Sequence, residues 1–361
     1  MTCSFKTLLA FTAGLSLVLA AGSQAEEQPL YRESFVFEGT ALIPECYRPS
    51  LVCLPDGALA CAWATGSGPR ALDTSIKLSF QPAGESQWTE AHTIADDIGY
   101  PDNYPVLAGL PEGTLRLLYA TLYREKRKAP PGADLASWHM KYRDSADGGR
   151  IWGPDYFLVP ESERVPCSSV VNLANGGLIL PVTDIQNCSS LFLMSEDKGA
   201  YWKDLSRITD PAALVDPAVA ELEPGRLVAM LRPHENSELE RFLWRTESND
   251  NGRTWSEPRK TELKNPGGPA ELLKLANGHL VLAWNDHALW LTPLTLAVSE
   301  DGGKTWPSRR NLETGKWDIR EPGLIQTKDG HIHVVYVSRN IHVKHIEVTE
   351  SWITENRGIK K

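Results

Sequence analysis

Six times along the chain an apolar run leads into a short turn ending in glycine and out again into a second apolar run. The segments are residues 50–63 around Asp56-Gly57, 106–119 around Glu112-Gly113, 169–182 around Asn175-Gly176, 218–231 around Pro224-Gly225, 271–284 around Asn277-Gly278 and 323–337 around Asp329-Gly330. Strands joined through Asn-Gly or Asp-Gly are strong hairpin signals, because glycine accepts the positive φ that tight turns require. Each hairpin is followed by a third strand, as in residues 294–299, Leu-Thr-Leu-Ala-Val-Ser.

A second signal interleaves with the first. Third strands enter an octet of the form S-x-D-x-G-x-x-W, which stands at Ser145–Trp152, Ser195–Trp202, Ser248–Trp255 and Ser299–Trp306, with a degraded copy at 79–88 that keeps Gly84 but lacks the Asp. The tryptophans at 88, 152, 202, 255 and 306 are spaced by 64, 50, 53 and 51 residues. Ser and Asp side chains lock such a turn by bonding nearby backbone N–H groups, and the Trp supplies an apolar plate to pack between sheets. Three strands and a fourth after the octet make a unit of about 50 residues, the size of a propeller blade. Six hairpins predict an all-β, six-bladed β-propeller. The last hairpin has a third strand at 341–348 but no octet, and the early segment 34–39 is positioned to supply the missing outer strand and close the ring.

Composition narrows the setting. Lys6, the apolar run 8–21 and Ser23-Gln24-Ala25 read as an export signal cut after Ala25. That reading predicts a secreted or periplasmic protein whose residues 26–361 form one domain, since no linker or low-complexity tract divides them. The apolar run is too short to span a bilayer, and no later segment approaches that length, so membrane insertion is not expected. A formal net charge of −9 argues against nucleic acid as a partner. With Cys3 in the leader, five cysteines remain, at 46, 53, 61, 167 and 188. Cys53 and Cys61 flank the first hairpin turn, where either a disulfide or two free buried thiols is compatible with the pattern. There is no CxxC pair or HxxxH helix, so neither a zinc site nor any other cofactor is expected.

Four octets in register, each after its own Gly-turn hairpin, resemble the Asp-boxes of the sialidase (neuraminidase) superfamily over essentially the whole mature chain. In that family the boxes are structural and lie opposite the active site. The resemblance therefore implies a site at the other end, ringed by residues just before each first strand and just after each second strand. Tyr47-Arg48-Pro49-Ser50 is similar to the motif whose arginine binds the substrate carboxylate, a task suited to the bidentate guanidinium fork. Arg232, at the end of the second strand of blade four, falls where the family places a second such arginine, and Asp73 falls in the loop that carries the acid/base Asp.

Three positions depart from the family. Asp216 stands where a Glu is expected before blade four, and Trp290-Leu291-Thr292 replaces the third arginine. Residues 318–322, Asp-Ile-Arg-Glu-Pro, hold no tyrosine where the family has its nucleophile. Arg320 or Arg339 is the substitute for the missing arginine, and Glu321 or Asp216 for the missing base or nucleophile. Asp102, Tyr104, Asp184, His234 and His287 complete the expected ring. The first functional expectation is an exo-acting glycoside hydrolase for an acidic or otherwise decorated terminal sugar of a glycan, with Asp73, Glu321 and Asp216 catalytic. The alternatives are a non-catalytic glycan-binding propeller, holding its ligand with Arg48, Arg232 and exposed aromatics such as Tyr104, and a polysaccharide lyase with His234 or His287 as base.

Overall fold

The apolar runs pair as their spacing predicts, in six antiparallel sheets. Blade one is Glu45–Cys53, Leu59–Gly66, Ser75–Gln81 and His92–Ala95, and blade two is Asp102–Gly109, Leu115–Tyr123, Ser137–Ser145 and Tyr156–Ser162. Blades four and five begin with Leu214–Glu223 and Glu271–Lys274. The computed structural model describes Met1 and residues 28–40, 44–123, 137–209, 213–235, 237 and 240–355. The export signal expected over 1–25 lies, Met1 apart, outside the described residues.

The ring closes through both ends of the sequence. Blade six is Ile319–Gln326, Ile332–Ser338, His342–Val348 and, as its outer strand, Tyr31–Glu38. The register runs from Tyr31 opposite Val348 to Glu38 opposite His342. Lys344 Nζ lies 2.6 Å from Glu33 and 2.9 Å from Glu313, tying that closure to blade five.

Blade three departs from the expected pattern. Its first strand is broken into Arg164–Pro166 and Val171–Asn172. Pro166 offers no N–H to the ladder, and Ser168 and Ser169 make their bonds to blade five instead.

The apolar core is six seams, one between each pair of neighbouring blades. In the seam between blades four and five, Met230 and Leu243 meet Leu282 and Trp284. The seam between blades six and one holds Val335, Val337, Cys61 and Trp63. The Asp-boxes staple the seams from one end. Ser195 Oγ donates to Asp197 Oδ1 at 2.7 Å and accepts the Gly199 N–H at 2.8 Å, and Asp197 takes the Tyr201 N–H at 2.9 Å. Gly149 has φ +95°, and a Cβ there would stand 3.1 Å from Phe80 of blade one. Positive φ and close approach together demand glycine at that position. Cys53 and Cys61 are both free, as are the other three described cysteines, so no disulfide staples the first hairpin.

With the apolar side chains committed to the seams, the inner ends of the first strands are left facing the axis.

Candidate functional site

Four first strands carry the same irregularity. In blade one Tyr47 pairs with Ala64 and Ser50 with Ala62, so one residue too many stands on the inner strand. The same slip follows Asn103, Val215 and Arg320. Such an insertion is a β-bulge, which bends a strand and re-aims a side chain. Each bulge is an X-Pro pair: Arg48-Pro49, Tyr104-Pro105, Asp216-Pro217 and Glu321-Pro322. The residue before the proline has φ of 49°, 58°, 50° and 59° respectively. A side chain before proline normally sits in extended backbone, and positive φ at such a residue costs about 1–3 kcal/mol. The same strain repeated in four blades gathers four polar side chains at one level of the axis.

Arg48 is the hub. Its backbone N–H donates to Glu321 Oε2 at 2.8 Å, and its Nε lies 3.5 Å from Glu321 Oε1. Arg48 Nη2 reaches Asp216 Oδ2 at 3.5 Å, and Arg232 places both Nε and Nη2 2.8 Å from the same oxygen. Thr183 Oγ1 donates to Asp216 Oδ1 at 2.7 Å and accepts the Asp216 N–H at 3.0 Å. The Arg48 guanidinium also lies 5.2 Å from the centre of the Tyr104 ring. Burial alone would raise the Asp216 carboxyl, but Arg232, Arg48 and the Thr183 hydroxyl outweigh it and hold the group far below the usual carboxylate range. Burial works against the charge on Arg48, yet Asp216 and Glu321 more than offset it and raise its pKa.

Arg48, Tyr104 and Glu321 also help to line a small well of ≈ 40 Å³ whose wall includes Ser50, Cys167, Ser168 and Glu271. That volume suits water rather than a sugar ring. Glu271 crosses from blade five to blade three, where Ser168 Oγ donates to it at 3.0 Å and the Ser169 N–H at 3.3 Å. Burial lifts its carboxyl to about 7, the serine bonds offsetting only part of the cost. In the sequence Glu271 reads as an ordinary strand residue. The available signal is its alignment with Ser50, Val106, Ala218 and Gly323 in the other hairpins, all uncharged and mostly small. Thr183 stands one position before Asp184, and nothing in the local sequence marks it as a site residue.

Of the expected ring, the structure brings together Arg48, Tyr104, Asp216, Arg232 and Glu321. Tyr104 is not an exposed platform: it is half-buried beneath Arg48 and packs edge-on against Trp138, with ring centres 5.2 Å apart. Asp73 is exposed on the rim loop. Its carboxylate accepts the Ser67 N–H at 3.1 Å and the Ser67 hydroxyl at 2.8 Å, which lower its pKa. A proton donor needs the opposite direction. The loop itself is well placed, because its Pro69 carbonyl accepts from Asn103 Nδ2 beside Tyr104 at 3.0 Å.

Several expected side chains turn elsewhere. Asp102 is buried, bound by Thr121 Oγ1 at 2.5 Å and the Asp97 N–H at 2.7 Å, and burial lifts it to about 7. Arg320 lies over the Tyr47 ring and Arg339 over the exposed Trp317, at 5.7 and 4.0 Å. His287 Nδ1 accepts the Leu289 and Trp290 N–H groups, each at 3.0 Å, so that nitrogen shapes a loop. His234 is half-buried, its N–H bonded to the Ala213 carbonyl. Asp184 is bound by Arg207 and Asn187. Bulges re-aim a residue only where they occur, which is why position at a strand end alone did not separate these from the hub.

Residues 57–334 match the family described as BNR repeat-like domain. No curated protein matches the chain. Among solved structures, it is similar to the Hadza microbial sialidase Hz136, with TM-score 0.76 and 18% identity over 89% of this chain and 69% of that one. It is similar to the NanB sialidase of Streptococcus pneumoniae, with TM-score 0.74 and 13% identity over 89% and 71% of the two chains. A third similar structure is the intramolecular trans-sialidase of Ruminococcus gnavus, with TM-score 0.71 and 15% identity over 86% and 95%. At these identities the likeness is one of fold.

Proposed function

The chain belongs to the BNR repeat-like family, and on that premise we propose that it is a sialidase-like, exo-acting glycoside hydrolase that takes the terminal sugar of a glycan at the axial site. The observation that carries this reading is the convergence of Arg48, Tyr104, Asp216 and Glu321, held there by strained bulges in four blades, with Arg232 joining them through Asp216. A structural axis has no need of such strain, whereas binding sites commonly store it.

In this reading Glu321 supplies the carboxylate that attacks the anomeric carbon or activates a water beside it. Asp216, firmly ionised, holds Arg48 and Arg232 in place. Asp73 gives its proton to the leaving oxygen from the rim, after substrate displaces the Ser67 bonds that hold its carboxyl low. We propose further that the leader expected over residues 1–25 carries this activity outside the cytoplasm, and sequencing the mature N-terminus checks it: the chain is expected to begin at Glu26.

The deciding experiment is release of a fluorescent aglycone from a panel of aryl glycosides that includes an α-sialoside. Turnover that falls about 100-fold or more in Glu321→Gln supports the hydrolase. One observation favours a second reading, a propeller that binds glycans without cleaving them: Asp73 has its carboxyl turned to Ser67 and lowered. Glycan binding without turnover, weakened by Arg48→Ala, would establish that reading instead.

A further inference from the structure

We infer that the sugar this site takes is uncharged, because the protein's own carboxylates already occupy the arginines that an anionic substrate would need. The inference rests on the reading that the axial site binds a sugar, and it chooses between the acidic and the otherwise decorated sugars that the sequence left open.

The charges at the hub cancel. Arg48 and Arg232 bring two positive charges, and Asp216 and Glu321 bring two negative ones. All four side chains are largely shielded, at 18%, 15%, 3% and 14% exposure. Glu321 covers the backbone N–H and Nε of Arg48, and Asp216 takes the far end of the same guanidinium together with both near nitrogens of Arg232. An incoming carboxylate would have to displace one of these partners and leave it stranded in a poorly solvated site.

No spare cation stands by in the described contacts. Arg320 and Arg339 are turned onto the rings of Tyr47 and Trp317. The rim loop adds Arg70, which acts on Tyr104 through space but is itself not free, and it also adds the acid Asp73. Glu271 brings a further acid to the well. At longer range the chain's net charge of −9 repels anions.

What remains is a mixed row of N–H donors and carboxylate acceptors along Arg48, Glu321, Asp216 and Arg232. Hydroxyl groups fit such a row because each can donate and accept. Neighbouring hydroxyls of a neutral sugar can then bridge a guanidinium and a carboxylate without breaking the ion pairs.

The test is calorimetric titration with N-acetylneuraminic acid and its uncharged methyl ester, on the wild type and on Glu321→Ala and Glu321→Gln. Wild type is expected to bind the ester at least about 10-fold more tightly than the acid. Glu321→Ala, which frees one face of Arg48, is expected to gain affinity for the acid by about 10-fold or more. Glu321→Gln keeps the shape and an acceptor for the Arg48 N–H, so a smaller gain in that variant covers the case in which the alanine fails to fold. Wild type binding the acid as tightly as the ester would overturn the inference and leave the hydrolase reading standing. So would the absence of any gain in both folded variants. Silence of the wild type across the aryl glycoside panel tells against the hydrolase reading, while the gain of acid binding in Glu321→Ala still tests the occupied arginines independently.

Discussion

Asp216 faces Arg48, Arg232 and the Thr183 hydroxyl, whereas among the described residues Glu271 is hydrogen-bonded only to the serines of blade three. Their contributions to stability therefore run in opposite directions with pH. Asp216 is lowered in the fold, so its contribution is present above the ordinary carboxylate pKa and is lost only as the pH falls through its depressed folded value. Glu271 is raised from 4.5 to about 7, so its contribution is present below 4.5 and is lost as the pH rises through about 7. Glu271→Gln is expected to gain about 3 kcal/mol relative to wild type between pH 4 and pH 8, read from denaturant unfolding across that range. Asp216→Asn leaves two shielded arginines short of a charge partner and is expected to cost about 3–5 kcal/mol at pH 7, seen as a lower denaturant midpoint. At the rim, Ser67→Ala removes a hydroxyl bond from Asp73. The Asp73 carboxyl, followed by NMR, is expected to titrate at a higher pH in that variant, and an unmoved titration would show that the hydroxyl does not hold it low.

Each blade is a hairpin pair, and where an Asp-box locks the outer turn the element was legible from the sequence alone. Ser-x-Asp-x-Gly-x-x-Trp names a turn because each residue has a local task that its own side chain performs, as the Ser195, Asp197 and Gly199 bonds show. The bulges were not legible in the same way. Arg48-Pro49 and Glu321-Pro322 are visible as pairs, but the extra residue appears only when the partner strand is counted against it, as Tyr47–Ser50 is against Ala64–Ala62. Glu271 was hidden for a related reason: its partners are in blade three, two blades away, and no local pattern reports a contact across the axis. The boxes also permit a sharp check on the division of labour between the two ends of the propeller. Gly149→Ala forces a Cβ into positive φ and toward Phe80, with an expected cost of about 1–2 kcal/mol and no change in the ligand affinity of the axial site. A loss of affinity in a variant that still folds would mean that the two ends are coupled.

At the scale of the molecule, six apolar seams surround a polar axis, and the last seam depends on a strand from the beginning of the sequence. The segment foreseen at 34–39 does close the ring, starting three residues earlier at Tyr31. Removing residues 1–38 strips the outer strand of blade six and leaves His342–Val348 as a bare edge. Such a chain is expected to melt at a lower temperature and to associate through that edge, measured by thermal scanning and light scattering. The same closure fixes a timetable. Glu33 and Lys344, joined in the finished ring, are 311 positions apart in the chain. Blades one to five can assemble as they leave the ribosome or a translocation pore, while the opening strand must wait unpaired until the final blade emerges. A ribosome that stalls before residue 342 therefore holds a complete set of inner blades around a ring that cannot shut, with one seam still open to any chaperone that surveys exposed apolar surface.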